Sequence, residues 1–425
     1  MTIANTSVPV TVLPSPHHGG LGITRSLGRL GIPVFNIDAS PWCPSFFSRY
    51  CAGRFLHDLD TATAEHSVEW LLDLGRRLGA RSILVPTTDA AALLAAANAA
   101  ALREWFILPD QSSGLVHSLS SKKEMYGLAR RHRVPVPVTV FPQTRAELLA
   151  APDRVGLPLI VKGIQGYVWN RESRTKALVH TMARFLELCK TVPDAAVPGL
   201  LVQEYIPGSE DKAWMFNGYF DATSECRAAF TGRKIRQCPV YTGAASLAIC
   251  ENNGAVETSA KSFMKAVEYR GIVDIDFRYD SRDGKYKILD VNSRIGSTFR
   301  LFVSPTGMDV ARALYLDLTG QDVPVSALAA GRKWMVEDLD LVAALGYWRE
   351  GALNLREWLK SLRGVEEFGF FAFDDPLPLL LMLRADGREL LRLTRAPAER
   401  VPPFELKPTL KEENGVAPAE KHACL

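Results

Sequence analysis

The stretch GIVDIDFRYDSRDGKYKILDVNSRIGSTF, residues 271–299, decides the expected fold of the chain. Two runs of alternating apolar and polar residues flank the turn DSRDGK, whose Asp-Gly pair is typical of a β-hairpin. Because residues two apart in a strand share a face of the sheet, Asp290, Asn292 and Arg294 should project together from the second strand. The hairpin therefore gathers an acid, an amide and a guanidinium on one face.

Carboxylates from both strands should meet on this hairpin. Asp274 and Asp276 share a face of the first strand, and a turn centred on Asp283 places Asp276 opposite Asp290, although a one-residue change in the turn would shift this pairing. Two facing carboxylates destabilise a sheet by roughly 0.2–1 kcal/mol unless a cation lies between them. Mg²⁺, or Mn²⁺ in its place, binds carboxylate oxygens, and Asn292 offers a neutral oxygen to the same ion. The alternative is an ordinary solvated hairpin face.

The hairpin resembles that of the ATP-grasp superfamily, in which an acidic residue on one strand is followed by an acid-x-Asn motif on the next. Here these are Asp276 and Asp290-Val291-Asn292, and Arg294 stands where many members carry an arginine. The resemblance implies that Asp276, Asp290 and Asn292 bind the metal ion. It also implies that Arg294 lies close to the phosphoryl group during its transfer.

Two upstream segments resemble the lysine-bearing parts of the same superfamily. In SSKKEMYGLARRHRVPVP, Ser121 and Glu124 are spaced as a capping box, and Lys122 matches the first ATP-contacting lysine. VGLPLIVKG resembles the strand that carries the second such lysine, here Lys162, which faces the α- and β-phosphates. A solvated surface lysine is the alternative for Lys122.

The segment that follows Lys162 departs from the superfamily pattern. Many members have a run of glycines here whose backbone N–H groups wrap the phosphates, whereas this chain has only Gly163 and Gly166. Arg171, Arg174 and Lys176 follow closely. We expect side chains from this set to contact the phosphates instead.

LLVQEYIPGSED, residues 200–211, resembles the hinge that receives adenine. Its backbone carbonyl and N–H groups would face the adenine edge, and Ile206 would pack on the ring. The expected hinge residues are Gln203, Glu204, Tyr205 and Ile206. Glu210, or else Asp211, falls where the superfamily places the acceptor for the ribose hydroxyls.

TGRKIRQ, residues 231–237, concentrates positive charge beside apolar strand residues. Strand alternation places Lys234 and Arg236 on one face, a fork suited to a phosphate or to the carboxylate of the acceptor. We expect both to be catalytic, and an ordinary solvated strand face is the alternative.

A glycine turn at residues 19–22 opens the first helix and raises the alternative of dinucleotide binding. If Gly20 and Gly22 are the first two glycines of that fingerprint, Arg25 occupies the position of the third small residue. An arginine there would disturb close packing of helix on strand. A tight turn whose helix N-terminus binds some anion is the preferred interpretation.

The length, composition and net charge indicate a globular protein that binds small molecules. It has 425 residues, 47% of them hydrophobic, and a formal net charge of +3, so no strong single-sign field is available to attract nucleic acid. The seven cysteines are odd in number and form no C-x-x-C pair, which argues against a zinc site and a disulfide framework. The N-terminus lacks an export signal and no apolar run is long enough to cross a bilayer, so a cytoplasmic protein is expected.

The expected fold combines α/β and α+β parts. A parallel-sheet, Rossmann-like domain (1–110) precedes the two lobes of an ATP-grasp fold (111–206, and 207–322 with the metal hairpin), and then come a C-terminal extension (323–410) and a disordered tail (411–425). The segment WREGALNLREWLKSLRG, within the extension, is expected to pack on the lobes, with peripheral membrane contact as the alternative.

The function that the resemblance implies is ATP-dependent activation of a small carboxylate as an acyl phosphate, followed by its joining to an amine. ADP and phosphate are released, and ATP and Mg²⁺ (or Mn²⁺) are the cofactors. Small-molecule substrates are the expected partners, and a homodimer is left open. The alternatives are a phosphotransferase of the same superfamily and a nucleotide-binding regulatory protein without catalysis.

Overall fold

A computed structural model of the chain describes residues 3–15, 17–164, 176–241, 243–325, 327 and 329–384. Three sheets organise these residues, one parallel and two largely antiparallel. This arrangement confirms the predicted fold class. In the described ranges, no helix is both long and apolar enough to cross a membrane.

The first sheet is parallel, and its five strands run in the order β3-β2-β1-β4-β5. The strands are β1 Val10–Leu13, β2 Val34–Asp38, β3 Cys51–Leu56, β4 Ser82–Pro86 and β5 Phe106–Ile107. The helices among them are α1 His17–Gly28, α2 Ala64–Leu78, α3 Asp89–Ala97 and α4 Ala99–Leu102. A side chain on Gly20 could not fit, because its Cβ would lie 2.6 Å from the Cα of Ser15.

The glycines expected to form a turn lie inside α1, and Arg25 of the same helix has a structural partner. Its side chain is buried, with Nε 2.9 Å from Asp375 Oδ2 and Nη2 2.7 Å from the carbonyl oxygen of Phe370. The helix therefore packs with an arginine because the C-terminal part of the chain supplies a carboxylate. Arg25 holds that part of the chain against the first domain.

The second sheet has four antiparallel strands in the order β6-β9-β7-β8. The strands are β6 Thr139–Val140, β7 Leu159–Gly163, β8 Lys176–Val179 and β9 Leu200–Glu204. The helices of this region are α5 Ser113–Ser120, α6 Lys122–Arg131, α7 Arg145–Val155 and α8 Met182–Thr191. Helix α6 begins where the capping box predicts, since the side chain of Ser121 accepts a hydrogen bond from the backbone of Glu124.

The third sheet has seven strands in the order β14-β13-β10-β11-β12-β15-β16. The strands are β10 Ala213–Phe220, β11 Cys226–Cys238, β12 Ala244–Cys250, β13 Gly271–Asp280, β14 Lys285–Asn292, β15 Lys333–Met335 and β16 Val365–Phe368. Helices α9 Gly254–Ala266 and α10 Val310–Leu318 belong to the same region. Apolar clusters cover both faces of the sheet, one with Met215 and Tyr219 and the other with Phe216 and Phe220.

The C-terminal extension packs on the large lobe. It contributes β15 and β16 to the third sheet, together with α11 Glu337–Arg349, α12 Leu355–Ser361 and a helix over residues 377–384. The indole of Trp358 donates a 3.0 Å hydrogen bond to Asp340, whereas Trp348 is 62% exposed. One of the two tryptophans is therefore bonded to α11 within the extension, and the other faces outward.

Candidate functional site

The hairpin of β13 and β14 pairs its polar residues as expected. Asp276 lies opposite Asp290, and Asp274 lies opposite Asn292. The pairing shifts at a bulge just after Asp276, between these residues and the turn. The four polar residues therefore lie in an uninterrupted stretch of regular pairing. The two predicted carboxylate ligands are therefore neighbours on adjacent strands.

A cavity of about 150 Å³ opens between the second and third sheets, above these two carboxylates. Residues of both sheets line it, and α6 closes one side with Lys122. Its charged lining includes four lysines and the acid pair, namely Lys122, Lys162, Lys176, Lys234, Asp276 and Asp290. Positive charge thus exceeds negative charge inside a concave site, which suits a polyanionic ligand.

Each carboxylate of the pair has a lysine partner. Lys122 forms an ion pair with Asp290, and Lys234 Nζ lies 3.0 Å from Asp276 Oδ1. Burial alone would lower the pKa of Lys122, but neighbouring groups, Asp290 foremost, together outweigh it and hold the pKa above its usual value. Burial would likewise raise the pKa of Asp290, and the surrounding cations, Lys122 foremost, together outweigh that effect and lower it. Both groups therefore stay charged.

Lys162 is in a different electrostatic state. Burial, reinforced by the charges of Lys122 and Lys176, lowers the pKa of Lys162 to about 7. Its Nζ donates a 2.9 Å hydrogen bond to the amide oxygen of Gln203. Burial also lowers the pKa of Lys176, with Lys234 adding to the effect. An anionic ligand would relieve this crowding of positive charge.

The expected hinge residues 203–206 line the cavity at the end of β9. The amide of Gln203 also bonds the hydroxyl of Tyr126 at 2.7 Å, so the residue orients Lys162 from a fixed position. Glu204 is buried, and its carboxylate lies 2.6 Å from Arg282 and 3.1 Å from Lys287. Its side chain therefore anchors the hinge.

Backbone groups of the next two hinge residues are also anchored. The backbone N–H of Tyr205 donates to the carbonyl oxygen of Pro158 at 3.0 Å. The carbonyl oxygen of Ile206 accepts a 2.7 Å bond from Arg278. The edge that would face adenine is thus rigidly placed.

Glu210, the expected ribose acceptor, lies beside the cavity. Its carboxylate accepts hydrogen bonds from the amide of Gln237, which lines the cavity, and from the hydroxyl of Tyr347 on α11. Asp211, the other candidate, pairs instead with Lys212 at 2.7 Å. The geometry favours Glu210.

Lys234 and Arg236 do not form the expected fork. A bulge in β11 pairs Lys234 with Ala248 and Arg236 with Leu247, which are consecutive residues of β12. The bulge breaks the two-residue alternation, and the side chain of Lys234 lines the cavity whereas Arg236 is not among the residues that line it. Arg236 is 4% exposed and binds Asp340 through Nε and Nη2, each at 2.8 Å. The expected position of Arg236 in the site was wrong.

Arg294 lies at the margin of the acid pair. Its Nη2 is 3.1 Å from Asn292 Oδ1, and its Nε is 2.7 Å from Asp89 Oδ1, at the start of α3. It also lines a second, largely apolar cavity of about 80 Å³ between the first domain and the hairpin. Arg294 thus connects the metal motif to the first domain.

Several residues around the cavity carry no motif. Gln237, Tyr241 and Tyr347 adjoin the expected ribose acceptor, and Asp89 orients Arg294. No sequence pattern identifies them, because each depends on a contact between distant parts of the chain. Arg171 and Arg174, expected near the phosphates, lie outside the described residues.

The donor set at the hairpin fits a hard divalent cation. Asp276 and Asp290 are adjacent carboxylates, and Asn292 adds an amide oxygen on the same strand as Asp290. The described ranges contain no group of three or more His, Cys, Asp and Glu residues arranged to hold a metal. Two carboxylates are what Mg²⁺ needs when substrate phosphates supply the remaining oxygens.

Comparisons with known proteins agree with this architecture. Residues 229–316 match the family model described as carbamoyl-phosphate synthase L chain, ATP binding domain. D-aspartate ligase from Enterococcus faecium (strain Aus0004) is 25% identical over 242 residues, which cover 54% of this chain and 57% of that protein. The chain therefore matches little more than half the length of this relative.

Two solved structures have a similar fold. N5-carboxyaminoimidazole synthetase from Staphylococcus aureus, complexed with ADP, gives a TM-score of 0.58 at 13% identity and covers 78% of this chain and 82% of that one. L-amino acid ligase from Bacillus licheniformis gives a TM-score of 0.56 at 16% identity, covering 74% and 75%. At these identities the likeness concerns the fold.

Proposed function

Because the chain has the ATP-grasp fold, we propose that it is an ATP-dependent ligase that joins a small carboxylic acid to an amine. One observation carries the proposal. The cavity between the second and third sheets brings four lysines over a pair of facing carboxylates. Such an arrangement suits a polyphosphate with its divalent cation.

The nucleotide would lie with its adenine at the hinge 203–206 and its phosphates among the lysines. Lys122 and Lys234 form ion pairs with Asp290 and Asp276. Lys162, whose pKa is lowered to about 7, would gain a proton when an anion binds. Asp276, Asp290 and Asn292 would hold Mg²⁺ or Mn²⁺, which neutralises phosphate charge when it is bound. Glu210 would accept hydrogen bonds from the ribose.

The reaction would proceed in two displacements. An oxygen of the substrate carboxylate attacks the γ-phosphorus, the bond to the β-phosphate oxygen breaks, and ADP leaves. The amine then attacks the acyl carbon, inorganic phosphate leaves, and the amine nitrogen loses its proton. Lys234 and Arg294 would stabilise negative charge on the transferring phosphoryl group, and their contacts with Asp276 and Asn292 support this role.

The relatives favour an amino acid as one substrate, because two of them are named as amino-acid ligases. A screen of amino acids and hydroxy acids for ADP release would identify the acid. Adding hydroxylamine in place of the amine should give a hydroxamate by trapping the acyl phosphate. Release of ADP with the correct acid and amine, yet never a hydroxamate, would favour direct phosphotransfer to another group.

Nucleotide choice is the first test of the proposal. ATP with Mg²⁺ should raise the melting temperature, whereas NAD(H) should not, as linkage requires for a ligand that binds only the folded state. Binding of NAD(H) without binding of ATP would overturn the assignment. A cytoplasmic location belongs to the same proposal, and the oligomeric state is left to measurement.

A further inference from the structure

Two hydrogen bonds, one to each oxygen, hold the carboxylate of Glu210. Gln237 donates to one oxygen through its amide, and Tyr347 donates to the other through its hydroxyl. Gln237 is 4% exposed and Tyr347 is 5% exposed, whereas Glu210 is only partly buried. Two buried donors therefore hold an acceptor that remains partly accessible beside the cavity.

Tyr347 reaches this position from the C-terminal extension. Its ring packs edge-on against the ring of Tyr241, which lines the cavity, with centroids 5.3 Å apart. Its hydroxyl oxygen also accepts a 3.4 Å hydrogen bond from the backbone N–H of Tyr241. A phenol has one hydrogen to donate, and here Glu210 receives it.

The protonation of Tyr347 supports this assignment of donor and acceptor. Burial raises the pKa of the Tyr347 phenol, and the charge of Glu210 raises it further. The hydroxyl therefore keeps its proton across the ordinary pH range and always acts as the donor. The direction of the bond is fixed.

A carboxylate offers about four lone-pair positions on its two oxygens. Gln237 and Tyr347 occupy one on each oxygen of Glu210 and leave one on each. Those remaining positions match the two neighbouring hydroxyls of a ribose. Because the donors fix the carboxylate beforehand, little side-chain entropy is lost when the sugar binds.

We propose that Tyr347 is a positioning residue for the nucleotide, which orients Glu210 toward the ribose hydroxyls and so makes the C-terminal extension part of the nucleotide site. The inference rests on the proposed function, because it requires ATP in the cavity. It adds that an element beyond the two lobes sets the selectivity for a ribonucleotide.

The test compares ATP with 2′,3′-dideoxy-ATP by calorimetric titration with Mg²⁺ present. Wild type should bind ATP more tightly. Tyr347→Phe should weaken ATP binding about threefold to tenfold while changing dideoxy-ATP binding by less than about twofold, because the lost bond acts only through the sugar hydroxyls. Gln237→Met removes the other donor and should give the same pattern.

Two control variants show where the effect arises. Tyr315→Phe removes a phenol hydroxyl that bonds the carbonyl oxygen of Val8, away from the cavity, and should leave both affinities unchanged. Glu210→Gln should lose the discrimination, and adding Tyr347→Phe to it should cost little more. Melting temperatures report whether each variant is folded.

The outcomes separate this inference from the function beneath it. If wild type binds ATP and discriminates, but Tyr347→Phe and Gln237→Met weaken both nucleotides equally, Tyr347 merely supports the fold and the inference is overturned. If wild type binds ATP and dideoxy-ATP equally, Glu210 does not meet the ribose and the inference is again overturned. If wild type binds no ATP, the proposed function fails as well.

Discussion

Proton uptake on nucleotide binding follows from the state of Lys162. Its pKa is lowered to about 7 by burial and by the neighbouring lysines, and the negative charge of a bound polyphosphate would outweigh both effects. At pH 8 about one tenth of the molecules carry a proton on Lys162 before binding, and nearly all should carry it afterwards. We therefore expect uptake of about 0.9 proton per nucleotide at pH 8 and about 0.1 at pH 6.

The same linkage fixes the sign of the pH dependence of affinity. A base whose pKa rises on binding favours the complex at low pH, so ATP affinity should fall as pH increases above 7, by up to about tenfold per pH unit. Lys176, whose pKa is also lowered by burial, acts in the same direction. The loss should level off once the pKa of the bound state is passed.

Calorimetric titration in buffers of different ionisation enthalpy measures the uptake directly. Lys162→Arg is the matched control, because a guanidinium keeps its charge at pH 8 and the nucleotide contributes equally in both proteins. The variant should bind without the extra proton and with a flatter pH profile. Equal uptake by wild type and variant, or uptake by wild type that does not change from pH 6 to pH 8, would refute the assignment of the titrating group.

Three further predictions concern the acid pair, Arg294 and Arg236. Asp290→Asn should cripple turnover and increase the Mg²⁺ requirement, while Asp274→Asn should do much less; equal losses would mean that the first-strand ligand is wrong. Arg294→Ala should reduce kcat by about 10²-fold or more with little change in ATP affinity and no hydroxamate, and a parallel loss of ATP binding would make it a ground-state anchor. Arg236→Met should lower the free energy of unfolding by about 3–5 kcal/mol, because Asp340 stays buried without its partner, and ATP affinity should hold; unchanged stability would contradict the structural role.

Local patterns predicted the hairpin well because strand geometry and turn chemistry act over short distances. Asp276 lies opposite Asp290 as expected, but this pairing depends on the bulge after Asp276, because the register next to the turn, Asp280 with Lys285, would otherwise place Asp276 opposite Leu289. The start of α6 followed from its N-cap residue, Ser121. The resemblance to the ATP-grasp superfamily, read from the same segments, is confirmed at the level of the fold. The roles given to individual site residues stay predictions.

Features set by tertiary contacts could not be predicted from the sequence. Alternation predicted a fork of Lys234 and Arg236, but a bulge shifts the pairing of β11 with β12 between them, and no composition signal marks that shift. Tyr347 meets Glu210 across 137 positions of chain. Such a contact depends on how α11 packs against β11, and a local pattern carries no information about it.

The two short strands of the extension also determine how the chain can be divided. β15 pairs with β12, and β16 pairs with β15, so both continue the large-lobe sheet beyond residue 322. A chain shortened there would present β12, whose residues from Ala245 to Ala248 are buried, as a bare sheet edge. Unpaired apolar edges recruit other strands. We expect such a shortened chain to aggregate, because the two lobes need the extension to cover this edge.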